Sequence, residues 1–196
     1  MHNILHKTIQ LFENKYLSYS YLMKANYDYR PDIDMILRYY YRAPGFVRME
    51  MIEPFKGSVL VYNPLSKKAQ VKPFPFIKKF VIELPPESKL IRSPSNHRID
   101  ESDMLTLLKT VNRLALKGEI TVFKRKGHFL LVVQGKGQEV VLGKINKFVL
   151  QLDRNTLFPL YAASYDVEGE IIEEVFFEDI RIGLQIDTTL FDLKKN

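Results

Sequence analysis

The chain of 196 residues contains no cysteine, which excludes disulfides, thiolate nucleophiles and cysteine-ligated metal sites together. It also lacks any apolar stretch near the ~20 residues that a membrane-spanning helix requires. Residues 1–4 carry no basic segment followed by an apolar core, so we expect no signal peptide in this sequence. These absences fit a cytosolic protein or the mature form of an exported one.

Motifs for catalysis and nucleotide binding are missing as well. The sequence has no G-x-S-x-G motif, no phosphate-binding loop and no dinucleotide-binding glycine motif. Its four histidines, His2, His6, His97 and His128, do not have the spacing of metal ligands. We therefore predict a protein that is not an enzyme, with no catalytic residue, no metal site and no cofactor. An enzyme would need a convergent polar pocket that the sequence does not indicate.

The net charge of +6 is unevenly distributed along the chain. Residues 1–98 hold 16 Lys and Arg against 8 Asp and Glu, whereas residues 99–196 hold 13 against 15. The stretch 56–92 alone has eight basic and two acidic residues. Such a basic half favours anionic partners, for example phospholipid headgroups or an acidic protein face. Nucleic acid is not an expected partner, because no helix-turn-helix or RNA-recognition motif is present.

Alternating apolar and polar residues predict strands over 16–29, 34–42 and 46–52, after a short amphipathic helix over 3–14. The apolar members fall on odd positions: Leu17, Tyr19, Tyr21, Met23, Ala25, Tyr27, Tyr29, Met35, Leu37, Tyr39, Tyr41, Val47, Met49 and Met51. Two strands, 58–63 and 68–72, follow after short turns. Because the apolar face is rich in tyrosine and methionine, it suits either a protein core or the wall of a cavity for variable acyl chains.

Residues 73–98 interrupt this pattern with five prolines, which confine the segment to loop, short edge strands or a helical turn. Its exposed aromatic residues would be costly unless they cover something, so we interpret it as a lid or flap. A helix over 100–117 follows, with Asp100 as the predicted N-cap and Gly118 as the predicted end. Its apolar stripe suits a core helix or a helix that closes a ligand cavity.

The rest of the chain returns to strands, predicted over 119–125, 128–134, 138–142, 144–153, 157–166 and 170–182 and separated by glycine-containing turns. Phe148, Leu150 and Leu152 share one face. In total the patterns predict ten to twelve strands, mostly joined to their neighbours in sequence. We therefore predict a mostly β protein of the α+β class, with a curved antiparallel sheet in a single domain over 1–196.

The chain contains, in order, Pro44, an apolar strand, Pro54, Val59-Leu60-Val61 and a turn at Tyr62-Asn63-Pro64. These motifs and the order of the elements resemble the bacterial LolA/LolB family of outer-membrane lipoprotein carriers and sorting proteins. Ile186-Asp187 followed by Phe191 is similar to the family's C-terminal segment. One departure is Ala43, since the family's carriers often have arginine immediately before the first proline. The LolB-type lipid anchor would also need an initial cysteine, which this chain lacks.

The resemblance implies an incomplete, strongly curved antiparallel β-barrel with a lid of helix and loop, and acyl chains held on its apolar concave face. Residues 73–81 and helix 100–117 would form the lid. The lipid-binding residues that it implies are Tyr19, Tyr21, Met23, Leu37, Tyr39, Met49, Met51, Val61, Phe74, Phe76, Leu107, Leu108 and Val111.

The resemblance implies that the protein is a monomeric periplasmic carrier, which transfers a lipid or an acylated lipoprotein towards the outer membrane. A partner protein of the inner or outer membrane fits the same interpretation. The alternative is an interaction or envelope-stress sensor domain on the same fold, which binds a protein rather than a lipid. A filled, closed core would favour the alternative, and a co-purifying lipid would favour the carrier.

Overall fold

A computed structural model describes residues 3–27, 35–74, 76 and 80–194. The contacts within the chain group it into two compact units. Unit 1 comprises Met1–Lys15, Ala25–Asp32 and Met104–Phe177, and unit 2 comprises Tyr16–Lys24, Ile33–Asp103 and Glu178–Asn196. That the whole chain forms one domain stays a prediction.

Two α-helices and eleven strands make up the regular structure of the described residues. The helices are α1 (Asn3–Asn14) and α2 (Met104–Ala115). The strands are β1 (Ser18–Asn26), β2 (Met35–Arg42), β3 (Phe46–Glu53), β4 (Val59–Asn63), β5 (Lys68–Lys72), β6 (Ile82–Leu84), β7 (Gly118–Lys124), β8 (His128–Gly135), β9 (Lys147–Asp153), β10 (Pro159–Tyr165) and β11 (Ile171–Ile182). Short 3₁₀ turns span Lys89–Ile91, Ile99–Glu101 and Thr188–Phe191.

The strands form one open sheet in the order β6-β5-β4-β3-β2-β1-β11-β10-β9-β8-β7. Successive strands pair antiparallel from β2 to β6 and from β7 to β11. This arrangement confirms the predicted fold class, a mostly β protein with an unclosed antiparallel sheet. Neither α1 nor α2, the α-helices of the described part of the chain, has the length and apolarity needed to cross a bilayer.

Unit 1 is built on β7–β10 and the two helices. Helix α2 packs on α1, β7 and β8. The buried stripe of α1 ends at Phe12, whose ring lies 5.1 Å from that of the fully buried Phe158. Strand β9 buries Phe148, Leu150 and Leu152, as its alternation predicts. Burial of these apolar stripes is what stabilises helices of only 12 residues, which are marginal in isolation.

The predicted ends of the second helix are wrong. Residues 99–101 form a separate 3₁₀ turn, in which the Asp100 carboxylate accepts hydrogen bonds from Arg98 at 2.6 and 3.0 Å instead of capping α2. Gly118 is the first residue of β7 rather than a helix cap. A Cβ on Gly118 would lie 2.0 Å from the backbone oxygen of Gln134, so glycine is needed there for close approach of the strands.

The predicted strand 138–142 is wrong as well. This segment is a loop with a single bridge between Val141 and Ile145. The Asn146 side chain donates hydrogen bonds to the carbonyl oxygens of Gly137 and Glu139, at 3.2 and 2.7 Å. Because these carbonyls are satisfied by a side chain, the loop needs no neighbouring strand.

Unit 2 is a meander of β2–β6 whose turns match the predicted ones. Residues 183–193 then run across one face of this meander. Arg48 donates from Nη1 to the carbonyl oxygen of Leu190 at 2.8 Å, and the Phe46 and Phe191 rings lie 5.4 Å apart. The amide of Leu193 donates to the side chain of Gln70 at 2.7 Å. This face is therefore covered by the C-terminal segment.

Candidate functional site

The other face of unit 2 carries four stacked tyrosines, Tyr19, Tyr21, Tyr39 and Tyr41. The Tyr21 and Tyr39 rings lie 4.8 Å apart and nearly parallel, as do the Tyr19 and Tyr41 rings at the same distance. All but Tyr41 are buried. The apolar residues that the sequence predicts at odd positions of β1 and β2 therefore do share one face of the sheet.

Tyr21, Tyr39 and Tyr41 of this cluster are uncharged at physiological pH. Burial raises the pKa of Tyr21 and of Tyr39 well above the ordinary value, and the nearby Asp103 adds to both effects. The pKa of Tyr41 is raised to about 12, mainly by burial. The Tyr39 hydroxyl lies 3.2 Å from the Ser102 hydroxyl, so this phenol has a hydrogen-bond partner. The cluster thus adds aromatic surface without negative charge.

An apolar row crosses unit 2 from this cluster to the sheet edge. The cross-strand partners on five successive strands are Tyr39, Met49, Leu60, Val71 and Ile82. With neighbouring strands ~4.8 Å apart, the row is about 19 Å long. That length exceeds one leaflet of a bilayer's hydrocarbon core, roughly 15 Å.

Exposure increases along the apolar row. Tyr39 is buried, Met49, Leu60 and Val71 are half-buried, and Ile82 is 39% exposed. The side chains of a protein core are normally all buried, whereas most side chains of this row are partly exposed to solvent. The arrangement can hold a linear apolar group laid across the strands.

Val61 does not belong to this surface, which corrects the predicted site. Val61 pairs with Arg48 and with Gln70, and those residues lie on the opposite face from Met49. There it is 0% exposed, on the face that the C-terminal segment covers. Because successive residues of a strand point to opposite faces, its neighbour Leu60 takes the place predicted for Val61.

Leu60, Val71 and Ile82 are the members of the row that sequence reasoning missed. For Val71 a signal was present, since Lys68 to Lys72 alternates charged or polar residues with Ala69 and Val71. The run Val59-Leu60-Val61 offers no such signal because all three residues are apolar. Ile82 lies in a segment whose prolines obscure the strand.

The structure also places the remaining predicted residues. Leu37 is buried and pairs with the half-buried Met51, next to the row, and Met23 is half-buried on β1. Phe74 and Phe76 are exposed in the predicted lid, of which residues 75 and 77–79 lie outside the described residues. Three of the predicted lipid-binding residues lie on α2 in unit 1. Leu108 and Val111 are fully buried, and Leu107 is half-buried.

A cavity of about 580 Å³ lies on the opposite face of unit 2. Its lining is Ser20, Arg38, Tyr40, Arg181, Leu184, Gln185, Ile186, Asp187, Thr189 and Leu190. Beside it, Asp179 accepts hydrogen bonds from Arg38 at 2.8 Å and from Arg181 at 3.3 Å. Arg38, Arg181 and Asp187 place charged groups among apolar lining residues, so an acyl chain bound there would remove charged groups from water. Among the described residues, no group of three or more His, Asp or Glu could hold a metal ion.

The ion pair with Arg38 controls the ionisation of Asp179. Hydrogen bonds from Arg38 and then Arg181 lower the pKa of Asp179 below its ordinary value of 3.8. The pair is therefore present above the ordinary pKa and is lost as pH falls through the lowered one. We expect Arg38→Gln to raise the pKa of Asp179 towards 3.8, measured by NMR titration of its carboxyl carbon. An unchanged titration would assign the shift to Arg181 alone.

No protein-family model matches the sequence, and a search of curated proteins finds no match. Solved structures do match. An uncharacterized conserved protein from Thermus thermophilus aligns with a TM-score of 0.56 and 10% identity, over 96% of this chain and 91% of that one. The complex of Pseudomonas aeruginosa MucA and MucB aligns with a TM-score of 0.52 and 14% identity, over 97% of this chain and 59% of that chain.

A putative outer membrane lipoprotein-sorting protein domain from Vibrio parahaemolyticus also aligns, with 12% identity over 98% of this chain and 97% of that one, at a TM-score of 0.48. Identities this low bear on the fold alone. The alignments with TM-scores above 0.5 show that this chain shares the fold of the Thermus protein and of the MucA and MucB complex.

Proposed function

We propose that this protein is a carrier that holds an acyl chain of a lipid or lipoprotein along the apolar row of unit 2. The single observation that carries the proposal is the partly open row from Tyr39 to Ile82, about 19 Å long. A carrier needs an apolar surface that a ligand can reach and leave, which a filled core does not provide. Binding requires no reaction, so the proposed carrier is not an enzyme.

The expected free energy of binding suits a carrier that binds an acyl chain reversibly. Each methylene group removed from water contributes ~0.8 kcal/mol, so partial coverage of one chain gives several kcal/mol. Methionine at the centre of the row adapts its shape to different chains, because its side chain is unbranched and polarizable. Because Tyr21 and Tyr39 are uncharged, an acyl chain that binds beside them removes no charged side chain from water.

The location and the direction of transport follow from the resemblance of the sequence to lipoprotein carriers, which rests on Pro44, Pro54 and Tyr62-Asn63-Pro64. We therefore propose a periplasmic location and transfer towards the outer membrane. A monomer suffices, since every member of the apolar row lies in one unit of one chain.

Titration of the purified, delipidated protein with a fluorescent fatty-acyl probe tests the proposal. We expect saturable binding by the natural protein and a loss of at least about tenfold in affinity for Met49→Glu, because a carboxylate then meets the chain. Thr121→Glu, an exposed substitution in unit 1, is the control with the same change in charge. Absence of probe binding, together with no co-purifying lipid in native mass spectrometry, would contradict the carrier function.

The alternative function is a domain that binds a protein partner. Two observations favour it: the buried tyrosines Tyr19, Tyr21 and Tyr39 fill one end of the row, and the fold also occurs in MucB, solved in complex with MucA. A lipid-free protein that binds a membrane-protein fragment, unaffected by Met49→Glu, would select this alternative over the carrier.

A further inference from the structure

Two connections of unit 2 leave the sheet at the same end. The β3–β4 turn contains Phe55, and the β5–β6 connection contains Phe74, Phe76 and Phe80. They are adjacent because Val59 pairs with Lys72, and the Ser58 hydroxyl donates a hydrogen bond to the carbonyl oxygen of Pro73 at 2.9 Å. We call the four phenylalanines the aromatic end.

The aromatic end is exposed to solvent. Phe55 is 65% exposed and Phe76 is 79% exposed, with Phe74 and Phe80 at 45% each. The rings of Phe76 and Phe80 lie 5.7 and 6.3 Å from that of Phe74, so three of the phenylalanines cluster. Clustered exposed aromatic side chains are costly in water and mark an interaction surface.

Basic residues accompany these rings. Lys56 follows Phe55 directly and is exposed, and Lys72 ends β5 two residues before Phe74. Glu53 is the acidic residue of the β3–β4 turn, while Glu83 is already paired with Lys68 and Lys194, at 3.4 and 2.9 Å. In the sequence, Lys78 and Lys79 also lie between Phe76 and Phe80. Aromatic rings flanked by lysines match the interface of an anionic bilayer.

We propose that the aromatic end docks onto the surface of an anionic lipid bilayer, with its phenylalanines in the interface and its lysines on the headgroups. The apolar row ends at Ile82, which begins β6 two residues after Phe80. Docking therefore brings the open end of the row to the membrane, where an acyl chain enters or leaves. In that respect the inference rests on the proposed carrier function, although docking itself is measured without it.

Co-sedimentation of the whole protein with vesicles tests the docking. We expect binding to vesicles of phosphatidylglycerol and phosphatidylcholine, and weak binding to phosphatidylcholine alone. The double variant Phe55→Ser/Phe76→Ser should lose about tenfold in partitioning. The matched control is Leu65→Ser, because Leu65 is 78% exposed but lies in the β4–β5 turn, at the opposite end of the strands.

A second pair of variants tests the charge. Lys56→Ser/Lys72→Ser should lower partitioning onto anionic vesicles about tenfold, and added salt should remove the difference. Lys126→Ser/Lys136→Ser makes the same change in net charge at exposed positions of unit 1 and should leave partitioning unchanged. Circular dichroism of each variant verifies the fold.

The outcomes separate docking from carrying. Equal binding of Phe55→Ser/Phe76→Ser and Leu65→Ser overturns the docking surface, as does equal binding to anionic and zwitterionic vesicles. Binding that appears only when membrane proteins are reconstituted into the vesicles assigns the aromatic end to a protein partner and also overturns it. If vesicle binding persists while the acyl probe fails to bind, docking stands and the carrier function fails.

Discussion

Leu60→Glu should leave the protein folded and lower its affinity for an acyl probe at least about tenfold. Leu60 is half-buried in the middle of the apolar row, between Met49 and Val71. A glutamate there keeps its carboxylate in contact with water in the free protein, so folding is little affected. Acyl binding would have to desolvate that carboxylate, which is unfavourable. Probe titration and thermal unfolding of the same variant measure the two effects.

The adjacent substitution Val61→Glu should give the opposite result. Val61 is 0% exposed on the face covered by the C-terminal segment, and its neighbour Arg48 is already paired with Glu50, so a glutamate would lose its hydration there without a free cation to replace it. The expected loss is about 3–5 kcal/mol in the free energy of unfolding, which is a large part of the stability of a typical domain. Val61→Ile is the conservative control. Equal effects of Leu60→Glu and Val61→Glu on folding would contradict the assignment of the two faces.

Phe158→Ala should lower the free energy of unfolding by about 3–5 kcal/mol. The Phe158 ring is fully buried in unit 1 and lies 5.1 Å from that of Phe12, so the substitution leaves a cavity between a helix and the sheet. Chemical denaturation measures the loss.

Phe123→Ala is the matched control, because Phe123 is 41% exposed on β7 in the same unit. It should cost less than about 1 kcal/mol. Acyl-probe binding by folded Phe158→Ala should equal that of the natural protein, since no member of the apolar row is in unit 1. Similar losses for Phe158→Ala and Phe123→Ala would show that the core of unit 1 lies elsewhere.

The alternation of apolar and polar residues along the sequence predicts β2 and β3. Odd positions from Leu37 to Met51 are apolar and even ones are mostly charged, and a two-residue period permits only one division into faces. The tyrosine cluster and the pairing of Tyr39 with Met49 follow from that division. The register of each pair then depends on the turns, which the prolines and glycines of the sequence located correctly.

Alternation is lost where both faces of a strand are covered. Val59-Leu60-Val61 is apolar throughout, because Val61 faces the covering C-terminal segment while Leu60 faces the apolar row. Only the pairing of Arg48 with Val61 decides which residue belongs to which face. The sequence for this reason predicts the wrong face for Val61.

By itself, the sequence determined the mostly β class, the helix over 3–14, the turns of the meander and the face that Tyr39 and Met49 share. These features arise from neighbours within a few residues, whose periodicity and turn chemistry are local. Only the tertiary structure decided that Leu60, Val71 and Ile82 continue that face. It also decided that residues 183–193 cover the other face and that the turn containing Phe55 lies next to the β5–β6 connection. Those relations join residues distant in sequence, and they are set by strand register and side-chain packing, which no local pattern contains.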